Sequence, residues 1–275
     1  MTPGPRILGL GDNTVDTYVD AGRQFPGGNA VNVAVLARRR GAQASYLGCL
    51  GDDDAGALIH AALQKEGIEL GRCRRIAGGA NARALIAHND GDRRFIGSSP
   101  GVRARYDLSD EDFAFIAAHD LTHTSINSDL EDALPRIADA APCLSFDFSE
   151  RWTQEYLART APEVDVAFLS YPRQPDGACE DLLATCAAHG VEVAVVTRGA
   201  AGAIACVGGR IYRQAIVPTK IVDTLGAGDG FIAGFLLAHL RGAQTADALT
   251  AGADYAAQVC TWQGAFGHGA PWRDQ

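Results

Sequence analysis

The residues best able to do chemistry lie near the C-terminal end, where Asp223-Thr224-Leu225-Gly226-Ala227-Gly228-Asp229 runs directly into the apolar stretch Phe231-Ile232-Ala233-Gly234-Phe235-Leu236-Leu237. Small residues at Gly226, Ala227 and Gly228 let the backbone come close to an anion. The N–H groups at a helix start, reinforced by the helix dipole, hold developing negative charge there. Asp229, beside such an anion hole, is a candidate base for a hydroxyl proton. An ordinary glycine-rich turn before a helix is the competing reading.

A second group, Gly27-Gly28-Asn29-Ala30-Val31-Asn32, stands where a loop enters a helix. The amides of Asn29 and Asn32 can bond vicinal hydroxyls, and Gly27 and Gly28 admit a sugar ring. Asn is also a preferred helix cap, so Asn29 alone reads equally well as one.

The elements that position these groups alternate. Ile7-Leu8-Gly9-Leu10 reads as a buried strand closed by Gly11-Asp12-Asn13, and Val15 to Phe25 as short strands or loop broken by Pro26-Gly27-Gly28. A helix is predicted over Asn29 to Arg40 with a stop at Gly41, then a strand over Ala44 to Leu50 and a helix start at Gly51-Asp52-Asp53-Asp54. Further strands are predicted at Asp120 to Ser125, Cys143 to Phe148, Val166 to Leu169 and Val193 to Thr197, each beside an Ala- and Leu-rich helical stretch. Such alternation marks an α/β fold with a mostly parallel central sheet flanked by helices. Ala80 to Ile96 differs, because it alternates in period two around Asn89-Asp90-Gly91-Asp92 and reads as a hairpin.

Bulk properties narrow the function. The 275 residues are 47% hydrophobic and 21% charged, which suits one globular domain, and a net charge of -9 disfavours nucleic acid or a membrane as partner. Lys65 and Lys220 are the only lysines and neither follows a glycine, so a P-loop is excluded. Seven scattered cysteines without Cys-x-x-Cys read as reduced thiols, and Met1 to Arg6 lacks a signal-peptide layout. The expectation is a cytoplasmic protein without disulfides. His119-Asp120-Leu121-Thr122-His123 lacks the Glu of a zinc-protease helix, and Ser125 and Ser170 lack a hydrolase nucleophile setting.

The segment Asp223 to Asp229 resembles, without a mismatch, the second signature of the PfkB (ribokinase-like) carbohydrate kinases, Asp-Thr-x-Gly-Ala-Gly-Asp. Gly27 through Gly51-Asp52-Asp53-Asp54-Ala55-Gly56 resembles the first signature, in family order. The resemblance implies a three-layer ribokinase-like fold in a single 1–275 domain, with a small β lid built from about 13–27 and 80–97. It also implies ATP and Mg²⁺ as cofactors, with a monovalent cation beside Asp223 in relatives, and allows a homodimer through the lid. Asp229 would act as base with Gly226, Ala227 and Gly228 as anion hole. Asp12, Asn13 and Asp16 match the loop where the family binds sugar hydroxyls, Asp16 being preferred; a turn aspartate bonding its own backbone is the alternative.

Phe146-Asp147-Phe148-Ser149-Glu150-Arg151-Trp152 resembles the Asp-x-Asn-x-Arg-x-x-Trp segment of sugar kinases, with Ser149 replacing Asn. That makes Arg151 a candidate for substrate or phosphate, against an exposed surface pair. Arg93 and Arg94, after the hairpin turn, could reach over the substrate. Thr197, Gly199 and Gly202, in Thr197-Arg198-Gly199-Ala200-Ala201-Gly202, match the nucleotide-side turn, together with Thr224, Gly226 and Gly228. The family's Asn-x-x-Glu is replaced by Ser170-Tyr171-Pro172-Arg173, so no metal-holding residue is assigned. The likeness is strongest to the branch that phosphorylates fructoselysine, a fructosamine, at its 6-hydroxyl. A kinase for fructose or 2-dehydro-3-deoxygluconate is the nearest alternative, followed by a nucleoside kinase and a non-catalytic sugar-binding protein.

Overall fold

The structure, a computed structural model, describes residues 3–89, 92–102 and 107–273, without the side chains of 88–95. In chain order its strands are β1 (Arg6–Leu10), β2 (Thr14–Tyr18), β3 (Arg23–Gly27), β4 (Gln43–Leu47), β5 (Cys49–Gly51), β6 (Arg74–Ile76), β7 (Arg83–Asn89) and β8 (Asp92–Ser99). They continue with β9 (Leu121–Ser125), β10 (Leu144–Asp147), β11 (Val166–Ser170), β12 (Val193–Thr197), β13 (Ala203–Val207), β14 (Arg210–Gln214) and β15 (Ala270–Pro271). The helices are α1 (Asn29–Arg39), α2 (Asp54–Lys65), α3 (Asp110–Ala117), α4 (Leu134–Ala140), α5 (Gln154–Thr160), α6 (Asp176–Ala188), α7 (Ala227–Leu240) and α8 (Thr245–Val259).

Strands such as Val166–Ser170 and Val193–Thr197 are apolar at nearly every position, as a sheet covered on both faces requires. They form an eight-stranded sheet in the order β14-β13-β12-β11-β10-β9-β1-β4. Six strands run parallel, and β13 and β14 extend the edge as an antiparallel hairpin. Period two sends alternate residues to opposite sides. Ile7 joins one core with Val31, Phe235 and Tyr255, while Leu8 and Leu10 join another with Ile137, Leu157 and Leu183. The sheet is thus the middle of three layers. Each fully buried aliphatic or aromatic side chain contributes about 1.5–3 kcal/mol.

Helix α7 is apolar almost all round because it lies between the sheet, α1 and α8. Its approach to α8 depends on Gly234, where a β-carbon would stand 2.6 Å from the Ala251 carbonyl oxygen.

A second sheet has the order β15-β3-β2-β7-β8. It includes the strands expected before Pro26 and the β7–β8 hairpin, and its apolar centre is Tyr18, Phe25 and Ile86, with Leu225 packed against them. Strand β15 was not expected, because two residues carry no periodicity. The single strand expected over Ala44 to Leu50 is corrected. It breaks at Gly48, where a side chain would collide with the Tyr46 hydroxyl, and β5 leaves the central sheet to pair with β6.

Candidate active site

Open α/β sheets collect ligand groups beyond the carboxyl ends of their parallel strands. Here the ends of β10, β11 and β12 face the start of α7 across a cavity of about 260 Å³, lined by Asp147, Ser149, Ser170, Thr197, Gly226, Gly228 and Asp229 among others. Gly226 is the left-handed residue (φ 76°) that turns the chain into α7, and a β-carbon there would lie 2.4 Å from Ala265 Cβ. Ala227 N–H turns back to Thr224 O at 3.2 Å, and the helical ladder begins with Gly230 N–H donating to Gly226 O at 2.8 Å. The amides between them open α7 at the cavity, where an anion would sit.

Asp229 is held by two amides of α1. Asn32 Nδ2 donates to its Oδ2 at 2.6 Å and Asn29 Nδ2 to its Oδ1 at 2.8 Å. Asn29 Nδ2 also donates to Asp147 Oδ2 at 2.9 Å, and Ser149 N–H donates to Asp147 Oδ1 at 2.8 Å. Burial pushes the Asp147 carboxyl up to about 7; the Ser149 N–H opposes this, while the negative charges of Asp229 and Asp12 add to it. On the far side of Asn29, buried His123 sits with Nε2 2.9 Å from Asn29 Oδ1 and Nδ1 3.0 Å from Ser145 Oγ. Burial drops the His123 pKa to about 3, so the ring is neutral at physiological pH.

Several residues expected at the sugar bond within the protein. Asp12 is the cap of α1, which has none from Gly28: its carboxylate accepts from Asn29 N (2.7 Å), Ala30 N (3.2 Å) and Ser125 Oγ (2.9 Å). Asn13 is fully buried and donates to Tyr46 Oη and Cys49 O, both at 2.8 Å, while accepting from Asn81 Nδ2 at 2.9 Å. Asn29 spends both amide hydrogens on carboxylates. Arg151 donates to Asn127 Oδ1 at 2.8 Å in an exposed pair. Arg94 lies on β8, but its side chain is outside the described residues, as is that of Arg93.

Asp16, Gly27 and Asn32 do converge. A β-carbon at Gly27 would stand 2.2 Å from Asp16 Oδ2 and 3.8 Å from Asn32 Oδ1, so the glycine keeps that space open. Among the described residues Asn32 Oδ1 is buried without a hydrogen-bond partner, an acceptor suited to a ligand hydroxyl. Gly28 has φ 104°, and a side chain there would strike Asn13 Cα at 2.4 Å.

Next to the first cavity, and sharing Ser170, Thr197, Thr224 and Gly228 with it, lies a cleft of about 740 Å³. Gly199 and Gly202 line it, along with Ile216, Val217, Pro218 and Ile221 of a loop after β14 and small residues of α8. A long cleft with mainly aliphatic walls suits a flat heteroaromatic base, and its junction with the α7 start suits phosphates. Asp223 anchors the turn below: Tyr18 O–H (2.7 Å) and Gly264 N–H (3.0 Å) donate to Oδ2, and Leu225 N–H (2.9 Å) to Oδ1. No group of three or more His, Cys, Asp and Glu side chains forms a metal cage among the described residues.

Sequence reasoning missed Asp147, His123, Tyr18 and the 215–221 loop. Asp147 stood inside a recognised segment; the other three gave no local signal, since their partners are far along the chain.

Comparison with known proteins bears on this site. The model of the pfkB family carbohydrate kinases matches residues 8–272. Fructosamine kinase FrlD of Bacillus subtilis (strain 168) is 42% identical over 272 residues, covering 98% of this chain and 95% of that protein. Fructoselysine 6-kinase of Escherichia coli (strain K12) is 37% identical over 257 residues, covering 94% and 98%. Among solved structures, Arabidopsis thaliana ribokinase complexed with ribose and ATP aligns with a TM-score of 0.81 at 21% identity, covering 97% of this chain and 95% of that one. Fructokinase from Vibrio cholerae O395, in a fructose-, ADP- and calcium-bound form, aligns at 0.77 and 22% identity, covering 95% and 94%. The fold is therefore ribokinase-like, and the chain belongs to the PfkB family of carbohydrate kinases.

Proposed function

We propose that the protein transfers the γ-phosphoryl group of ATP to the 6-hydroxyl of a fructosamine such as fructoselysine. The observation that carries the reading is Asp229, fixed by two amides at the mouth of an α7 anion hole that joins a nucleotide-sized cleft. In this reading Asp16 and Asn32 take sugar hydroxyls beside Gly27. Asp229 accepts the proton of the attacking hydroxyl, its oxygen bonds to the γ-phosphorus, and the bond to ADP breaks. The amides around Gly226 to Asp229 hold the charge that spreads over the transferring group, so positioning and electrostatics supply most of the rate. Thr197, Gly199, Gly202 and Thr224 border the nucleotide. Mg²⁺ would neutralise the triphosphate through phosphate oxygens and water.

The second sheet, carrying Asp16 on β2, would close over the sugar as a lid, and a homodimer through its outer face is tested by sedimentation. Internal donors already hold Asp223, so activity with and without K⁺ tests the cation expected there. Among the described residues no helix is long and apolar enough to cross a membrane. The fructosamine kinase relatives support the acceptor, and paralogues on one scaffold differ by a few pocket residues. ATP consumption measured across fructoselysine, fructose, ribose and 2-dehydro-3-deoxygluconate decides it. The highest kcat/KM is expected with fructoselysine, and a higher value with fructose would reassign the substrate.

A further inference from the structure

We propose that Asn29 is a positioning residue that ties Asp147 to Asp229, so that the two carboxylates ionise as one coupled unit setting the acid limit of turnover. The inference rests on the reading of Asp229 as the base.

The orientation of Asn29 follows from its partners. As a base Asp229 only accepts, so the Asn29 atom that faces it, and Asp147 with it, must be the amide nitrogen, one hydrogen to each. The amide oxygen then faces His123, whose Nε2 must carry the proton, leaving Nδ1 to accept from Ser145 Oγ. The neutral, buried ring ends the chain, and its tautomer follows the orientation that the carboxylates impose on Asn29. Each carboxylate also accepts from a separate donor, Ser149 N–H on Asp147 and Asn32 Nδ2 on Asp229. Ser149 reaches that position in the left-handed region (φ 53°), a costly conformation for a residue with a β-carbon. Local strain is thus tolerated to satisfy Asp147.

Two carboxylates that share one amide nitrogen are close enough to resist simultaneous ionisation, and each proton then belongs to the pair. Burial and the charge of Asp229 act on Asp147 in the same direction. Charged and titratable groups near them among the described residues include Asp12 behind α1, bonded to Asn29 N and Ala30 N, Asp16 across Gly27, neutral His123, and Arg151 turned to Asn127. Asn29 is a donor that both carboxylates use. An empty cavity wall at Asp147 would not need this; a carboxylate held in register with the base does.

The experiment is the pH profile of kcat at saturating sugar and MgATP for the wild type and for N29A, D147N and D229N. D147N removes a like charge beside the base, so its acid limb should move down by about one pH unit. N29A removes the donor that stabilises both ionised forms, so its acid limb should move up by a similar amount, with KM for ATP near the wild-type value. A purely structural role for Asn29 would lower kcat at every pH without displacing the limb. Shifts in the same direction, or none in either variant, overturn the proposal. Thermal melting checks each fold, and if N29A does not fold, the near-isosteric D147N decides alone: an unmoved limb overturns the coupling. D229N separates the two readings, because retained turnover would reject the base, whereas an inactive D229N with an unmoved D147N limb rejects only the pairing.

Discussion

The phosphoryl-transfer side of the cleft and its nucleotide side are built from different materials. On the transfer side, carboxylates and amides from β10, α1 and α7 are bonded to one another before any ligand arrives, and Gly226 is wedged against Ala265. On the nucleotide side the walls are mainly backbone and aliphatic carbon, and a β-carbon at Gly199 would meet nothing within 4 Å among the described residues. Preorganised polar groups act on the barrier, because they need no reorganisation when charge moves. Apolar walls act on affinity, roughly in proportion to buried area. Substitutions on the first side should therefore appear in kcat and on the second in KM for ATP.

The largest effect expected is from Asp229→Asn, which keeps the shape and removes the base. Turnover should fall about 10²–10⁴-fold, with nucleotide affinity by calorimetry close to wild type. Equal turnover would end the assignment of the transfer side.

A pair of glycine variants sharpens the contrast. Gly226→Ala adds both left-handed strain and a methyl group 2.4 Å from Ala265 Cβ, so the anion turn must shift. A displacement near 1 Å can cost about 10²-fold in kcat. Gly199→Ala, at φ 59° in open space, should carry only the left-handed penalty of about 1–2 kcal/mol, read as a lower Tm with kcat retained. If both variants lose kcat alike, the two sides are not distinct in the way described.

Ile216→Ala trims an exposed cleft wall, and a loss of about 1 kcal/mol of apolar contact corresponds to about five-fold in KM for ATP. A loss in kcat instead would place that wall in the chemistry.

The smallest effect concerns neither side directly but the C-terminal segment that delivers β15. Burial alone would raise the Glu66 carboxyl, but hydrogen bonds from Arg39 and His268 outweigh it and hold it below the usual carboxylate range. Since the folded pKa is the lower one, this stability is fully present above the unfolded value near 4.3 and is lost as pH falls through the folded value. Melting curves of the wild type and Glu66→Gln should therefore differ at neutral pH and converge in acid. Divergence on acidification would reverse the sign.

Much of the architecture could be read before the structure. Buried strands such as Val193–Thr197 announce themselves by unbroken aliphatic runs, and Asn29–Arg39 by its spacing and by the glycine at 41. Gly48 shows where this reading fails, because nothing in Ala44 to Leu50 signals that the Tyr46 hydroxyl occupies the space a side chain would need. The site was legible where chemistry is contiguous, as at Gly226 to Asp229. It was misread where a polar residue had two plausible partners. Asp12 and Asn13 look like sugar ligands in a loop, but they cap α1 and bond Tyr46 and Asn81 instead.

The amino-acid order by itself determined the alternation of elements, the glycine turn into α7 and the presence of a carboxylate at its mouth, since each depends on neighbours along the chain. Only the tertiary structure decided what that carboxylate touches. Asn29 and Asp229 are 200 positions apart, and their bond exists because α1 packs beside α7 on the same sheet face. A hydrogen bond needs its atoms placed to within tenths of an ångström, and over such a separation only the packed core supplies that placement.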